Sequence, residues 1–191
     1  MLARPRESRQ HTRSFNGGKL EIDYTAAVKK GVLDGPGHIK FVNGETYDGD
    51  IRNGTLSGRA VYTWPSGDRY EGDYREGHRT RKGKISFGEK SRWPGDVYEG
   101  DFADGHFQGT GTYEWHSKTH HAGNVYQGEW RNDRMNGRGA LTLANGDRNE
   151  GEFRENVPDG KGIHTARDGT KYKGAFKRGR SEDEKITFRA P

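Results

Sequence analysis

The feature that most constrains this chain is a repeat. An aromatic, a glycine and a second large apolar residue stand at alternate positions, as in Tyr126-Gln127-Gly128-Glu129-Trp130, and a Gly-x-Gly follows, here Gly137-Arg138-Gly139. Units begin at Tyr24, Tyr47, Tyr70, Tyr98, Tyr126, Asn149 and Tyr172, at intervals of 23, 23, 28, 28, 23 and 23 residues. A period between about 20 and 50 residues marks an array in which each unit packs on its neighbours. With 28% hydrophobic residues in 191, the chain cannot bury one large core, yet its four Trp, nine Tyr and eight Phe are too many for a disordered one. The aromatics must therefore be shared between units.

Within a unit, positions one, three and five lie on one face of a β-strand. That face carries Tyr47 and Gly49, Tyr70 and Gly72, Tyr98 and Gly100, Tyr126 with Gly128 and Trp130, Gly151 and Phe153, and Tyr172 and Gly174. The opposite face is acidic, with Asp48, Asp50, Glu71, Asp73, Glu99, Asp101, Glu150 and Glu152, and is expected to meet water. Asn53-Gly54, Glu76-Gly77 and Asp104-Gly105 have the chemistry of tight hairpin turns. A second strand then opens at the Gly-x-Gly and alternates apolar residues: Tyr62 and Trp64, Ile85 and Phe87, Tyr113 and Trp115, Leu141 and Leu143. Each unit is one β-hairpin. Glycine weakens a strand, so its regular use implies that a ring or a backbone comes close at those positions.

Residues 1–16, with Arg4, Arg6, Arg9 and Arg13, are read as a basic disordered arm in preference to an organelle transit peptide, and residues 17–191 as the array. Gly17 to Asp23 is expected to add an edge strand. The first unit is degenerate, with Ala26 and Val28 in place of Gly and aromatic. The last loses its Gly-x-Gly, and Ile186 and Phe188 fit its second-strand alternation. Terminal units have one side facing water and are expected to be atypical. The two long units carry their extra residues at one place, around Gly88 to Pro94 and His116 to Ala122. These insertions are expected to project side by side from one edge.

Tyr-x-Gly-x-aromatic followed by Gly-x-Gly on a 23-residue period resembles the MORN repeat, and Tyr98-Glu99-Gly100-Asp101-Phe102 with Gly105, Gly109 and Gly111 is a close match. Departures are Asn149 for Tyr, Asp133 and Asn156 for the turn Gly, and Ala60 for a second-strand Gly. The resemblance implies an all-β fold: an elongated, twisted, single antiparallel sheet of tandem β-hairpins, a solenoid about 65 Å long. It also implies a non-catalytic scaffold or docking surface in cytoskeletal, ciliary or flagellar assemblies, hence a cytoplasmic location. A regulatory subunit of an enzyme is a further reading of the same kind.

The aromatics that the repeat does not demand, Tyr62, Trp64, Tyr113 and Trp115, with Trp93 in the first insertion, are the candidate protein-docking residues. The expected partner is a helical or extended protein segment, with a homodimer as an alternative. Arg79, Arg81, Lys82 and Lys84 in one unit, and Lys173, Lys177 and Arg178 in the last, are candidate contacts for acidic phospholipid. A metal site at His106, His116, His120 and His121 is disfavoured, because nothing in that loop supplies Cys or Asp. The repeated carboxylates lack the unique, pocketed pairing of an acid and a base, and the Gly-x-Gly pairs open strands rather than helices, so no nucleotide loop is present. No enzyme activity and no cofactor are expected. The net charge of +5, set by 33 basic and 28 acidic residues, is modest, and strand-face acids oppose a polyanion, so no nucleic-acid partner is expected. The absence of Cys suits a reducing compartment, and no apolar run approaches the roughly 20 residues of a membrane span.

Overall fold

The computed structural model describes residues 8–15, 18–182 and 186. They form one 15-stranded antiparallel sheet in which each strand pairs with the next in sequence. The strands are β1 (Ser8–Phe15), β2 (Gly18–Lys29), β3 (Val32–Phe41), β4 (Thr46–Arg52), β5 (Thr55–Thr63), β6 (Arg69–Arg75), β7 (His78–Ser86) and β8 (Val97–Ala103). They continue as β9 (His106–Glu114), β10 (Val125–Arg131), β11 (Arg134–Thr142), β12 (Arg148–Arg154), β13 (Val157–Thr165), β14 (Lys171–Lys177) and β15 (Arg180–Ser181). Every unit is a hairpin, as its alternation requires.

Tight turns line one edge of the sheet. Asn53 and Gly54 have φ of 48° and 76°, and Glu76-Gly77, Asp104-Gly105, Asn132-Asp133 and Glu155-Asn156 repeat this pair of positive angles. Such turns match the twist of the flanking strands. The second turn residue also donates its N–H to the preceding unit: Gly77 to Leu56 O at 3.0 Å, Gly105 to Arg79 O at 3.1 Å, Asn156 to Met135 O at 3.1 Å. Where Asp133 and Asn156 replace glycine, their side chains add a bond, accepting from Phe107 N at 2.7 Å and Met135 N at 2.8 Å.

Inside each hairpin the glycines make room for the first tyrosine. Gly100 faces Gly111, yet Phe102 faces Phe107, so three residues of β9 oppose the single Asp101 and the strand bulges. Gly109, at φ 65°, sits in that bulge. The Tyr98 ring lies over the glycine pair, and its hydroxyl donates to Asp101 O at 2.9 Å. Tyr47, Tyr70 and Tyr126 donate likewise to Asp50 O, Asp73 O and Glu129 O. The close approach expected at the glycines is thus a ring of the same hairpin, together with the facing backbone.

These tyrosines are fully buried by the second apolar residue of the next unit. Tyr74 stands between Tyr47 and Tyr70, Phe102 between Tyr70 and Tyr98, and Trp130 between Tyr98 and Tyr126, while Phe153 closes on Tyr126. Centroids in this series are 5.1 to 5.6 Å apart, with planes at 74° to 88°. Each such edge-to-face pair is worth about 0.5–1.5 kcal/mol beyond the area it buries. The series stops at Asn149, which is buried and instead bonds His164 Nδ1 at 2.9 Å.

Three expectations about the ends are revised. Residues 8–15 of the expected disordered arm form β1, because backbone pairing to β2 asks nothing of the side chains. The expected edge strand before Tyr24 is continuous with the first unit, as β2 runs through Gly18–Lys29. In the last unit, β15 covers Arg180–Ser181 among the described residues; Ser181 N donates to Ile186 O at 2.9 Å, Ile186 belongs to no described strand, and Phe188 lies outside the described residues.

Candidate functional site

The four- to ten-residue connections on the edge opposite the turns are built on one closure. Trp64 N donates to Asp68 O, and Gly67 N to Trp64 O. Both long loops keep it: Phe87 N bonds Asp96 O and Gly95 N bonds Phe87 O, and Trp115 N bonds Asn124 O and Gly123 N bonds Trp115 O. The extra residues therefore bulge outward without disturbing either strand.

In the units starting at Tyr70, Tyr98, Tyr126 and Asn149, the residue two before the first position ties its loop to the next. Asp68 accepts from Gly88 N at 2.8 Å, Asn124 from Ala144 N at 2.9 Å, and Asp147 from Arg167 N at 2.9 Å. Asp96, fully buried, accepts from His116 N at 2.8 Å, Ser117 N at 2.7 Å and the Tyr113 hydroxyl at 2.9 Å. The two insertions thus lie side by side, as their spacing implies. These staples escaped the sequence reading, although an Asp or Asn at a fixed offset before the unit was a signal for them.

Of the candidate docking aromatics, two are structurally engaged. Tyr113 is buried, and Tyr62 donates its hydroxyl to Glu45 Oε2 at 2.7 Å. Burial first, and then the facing carboxylates of Asp96 and Glu45, raise both phenols well above the ordinary tyrosine value. Trp64 and Trp115 are half-buried on the loop edge, each against its own tyrosine at 4.7 and 4.5 Å. Trp93 is 45% exposed, set edge-on to Phe87 at 5.6 Å with Arg92 over its ring. The structure adds Phe87 to this row.

Across the sheet, on the turn edge, stand Arg79 and Phe107, the latter stacked on Tyr98 at 3.8 Å. The two edges and a floor of Ile85, Tyr113 and Trp130 enclose an open groove of about 610 Å³. Ile85 and Trp130 were legible as core-facing apolar positions; that they bound one concavity with Phe107 depends on the curvature of the sheet.

The basic run of the third unit is not one patch. Neighbouring strand residues point to opposite faces, so Arg79 lies on the aromatic face, over the rings of Trp64, Tyr70 and Phe102 at 5.6–5.7 Å, and donates to Gly105 O at 2.8 Å. Lys82 and Lys84 lie on the polar face, paired with Asp101 at 2.7 Å and Glu99 at 3.5 Å. Arg81 is exposed at the bulge with φ 54°. In the last unit, Lys173 and Lys177 are exposed on the polar face of β14, and Arg178 occupies the turn, its N–H on Asp159 at 3.2 Å. The acidic face is not merely solvated: Asp101 accepts from Thr110 N at 2.8 Å, and Glu129 from Arg138 N at 3.1 Å, so these carboxylates close the bulges.

The histidines are dispersed. His106 bonds Asp133 at 2.6 Å on the turn edge and His116 bonds Glu114 at 3.2 Å, while His120 and His121 lie against each other with centroids 3.7 Å apart. Burial, and then His120, hold His121 below the usual histidine range. Among the described residues there is no group of three or more metal-ligating side chains, and no helix is long and apolar enough to cross a membrane.

The model of one family, the MORN repeat, matches the chain at residues 24–46, 47–69, 70–92, 98–120, 126–148 and 150–171. No curated protein matches it. The sixth match begins after Asn149, where the tyrosine is missing, and the seventh unit falls beyond the last match. Six tandem matches over well over half of the residues, on hairpins whose glycines and tyrosines interlock as described, make this chain a member of the MORN-repeat family.

Proposed function

We propose that this chain is a non-catalytic binding scaffold whose aromatic groove docks a segment of another protein. The observation that carries this reading is the row of Trp64, Phe87, Trp93 and Trp115, left half-buried or exposed while the repeat tyrosines Tyr47, Tyr70, Tyr98 and Tyr126 are fully buried. The tyrosines hold the array together, whereas the row lines an open groove of about 610 Å³. Large aromatics in a concavity are the residue types that anchor interfaces. By analogy with other MORN-repeat proteins, the setting is cytoskeletal, ciliary or flagellar.

The test is affinity capture from the native cell with wild type and a Trp64→Ala/Trp115→Ala variant shown to be folded by circular dichroism. A partner retained by wild type and lost from the variant supports the groove; equal recovery from both overturns it. A second reading, a peripheral membrane module for acidic phospholipid, is favoured by Lys173 and Lys177, which are exposed and make no ion pair with a described carboxylate. Co-sedimentation with anionic vesicles at low salt tests it, and failure to sediment removes it.

A further inference from the structure

We infer that the groove's occupant is a polypeptide segment carrying an Asp or Glu among apolar residues, and that Arg79 reads that carboxylate. This rests on the docking reading above. Two residues after the turn the aromatic face carries Leu33, Leu56, Phe107, Met135 and Pro158, with Ser181 in the last unit, and only the unit starting at Tyr70 puts a charge there. Packing does not ask for it, since leucine or phenylalanine fills the equivalent place in neighbouring units.

Arg79 is half-buried and lines the groove. Its guanidinium lies over three aromatic rings and donates to Gly105 O, and it forms no ion pair with any described carboxylate. The two acids that line the same groove are already engaged, Asp68 by Gly88 N and Asp133 by Phe107 N and His106 Nδ1. A guanidinium has five N–H donors in a planar fork that fits a carboxylate edge-on. With one carbonyl taken here, donors remain for a ligand. An arginine held on apolar rings, partly out of water, gains most from a single anion brought to it inside an apolar segment. A multiply charged headgroup would need further cations on this face, and Lys82 and Lys84 are on the other.

The experiment pans random displayed peptides against the full chain and keeps those that Trp64→Ala/Trp115→Ala fails to bind. One retained peptide is then synthesised with its acidic residue as Glu and as Gln, and both are titrated into wild type and Arg79→Met. The expected result is enrichment of Asp or Glu between apolar residues, with a Glu-to-Gln loss of about tenfold or more on wild type and little or none on Arg79→Met. Groove-dependent peptides without acidic enrichment, or an equal Glu-to-Gln effect on both proteins, overturn the role of Arg79 and leave the docking groove standing. Recovery only of peptides that bind the Trp variant equally well, or of none, overturns the groove and this inference with it. The Glu/Gln comparison on wild type is read on an unaltered protein, so misfolding of a variant cannot produce it.

Discussion

Gly100 and Gly111 face each other across β8 and β9 so closely that a Cβ built on Gly100 would stand 2.5 Å from Gly111 Cα and 2.6 Å from Thr110 O. A Cβ on Gly111 would instead meet the Tyr98 ring, with the hydroxyl oxygen at 2.4 Å. Backbone cannot yield without breaking the ladder, but a ring can shift. The second unit shows the shift tolerated, because Ala60 occupies the place of Gly111 beside Tyr47. Gly100→Ala is therefore expected to cost about 3 kcal/mol and Gly111→Ala about 1 kcal/mol. Urea unfolding of the two variants checks the order, and equal losses would contradict it.

Asn149 interrupts the aromatic series, leaving Phe153 on Tyr126 alone and Phe176 on Tyr172 alone. In a solenoid, a weak interface between neighbours lets the units beyond it open separately. Amides of β13 and β14 are expected to exchange hydrogen through a lower-energy opening than those of β8 to β11. Asn149→Tyr should narrow that difference and stabilise the chain by about 1 kcal/mol. Exchange that is uniform along the array, or a variant less stable than wild type, would remove this account.

Asp96 is the knot between the two insertions. Asp96→Ala leaves the Tyr113 hydroxyl and two loop N–H groups without their acceptor, at an expected cost of about 3 kcal/mol. The loop after Trp115 should become cleavable at Lys118 in limited trypsinolysis of the variant. Wild-type resistance at that site in Asp96→Ala would show that the loop is held by other means.

Burial pushes the Tyr47 phenol from 10.0 up to about 12, and burial also raises Tyr70, Tyr98 and Tyr126. A phenol whose folded value lies above its unfolded one contributes stability in full below pH 10.0, which fades as pH rises through the folded value, for Tyr47 about 12. The buried tyrosines should ionise only together with loss of the sheet, seen as tyrosinate absorbance and circular dichroism changing at one pH. Ionisation of all nine tyrosines near pH 10.0 with the sheet intact would contradict their burial.

The order of the sequence determined the hairpins, the turns and the two faces, because strand alternation and turn chemistry are local and the period repeats them. It also determined that something must press on the glycines. The tertiary structure decided what pairs with what. Arg79, Arg81, Lys82 and Lys84 read as one basic cluster, yet alternation and the bulge send Arg79 into the aromatic groove and the lysines to Asp101 and Glu99 on the far face. Tyr62 and Tyr113 read as surplus, but their hydroxyls are held by Glu45 and Asp96 from the same hairpins. Those partners are set by cross-strand register and by sheet curvature, which bring together residues 17 to 20 positions apart, so the fixed offset marks the acid in the sequence without naming what it holds.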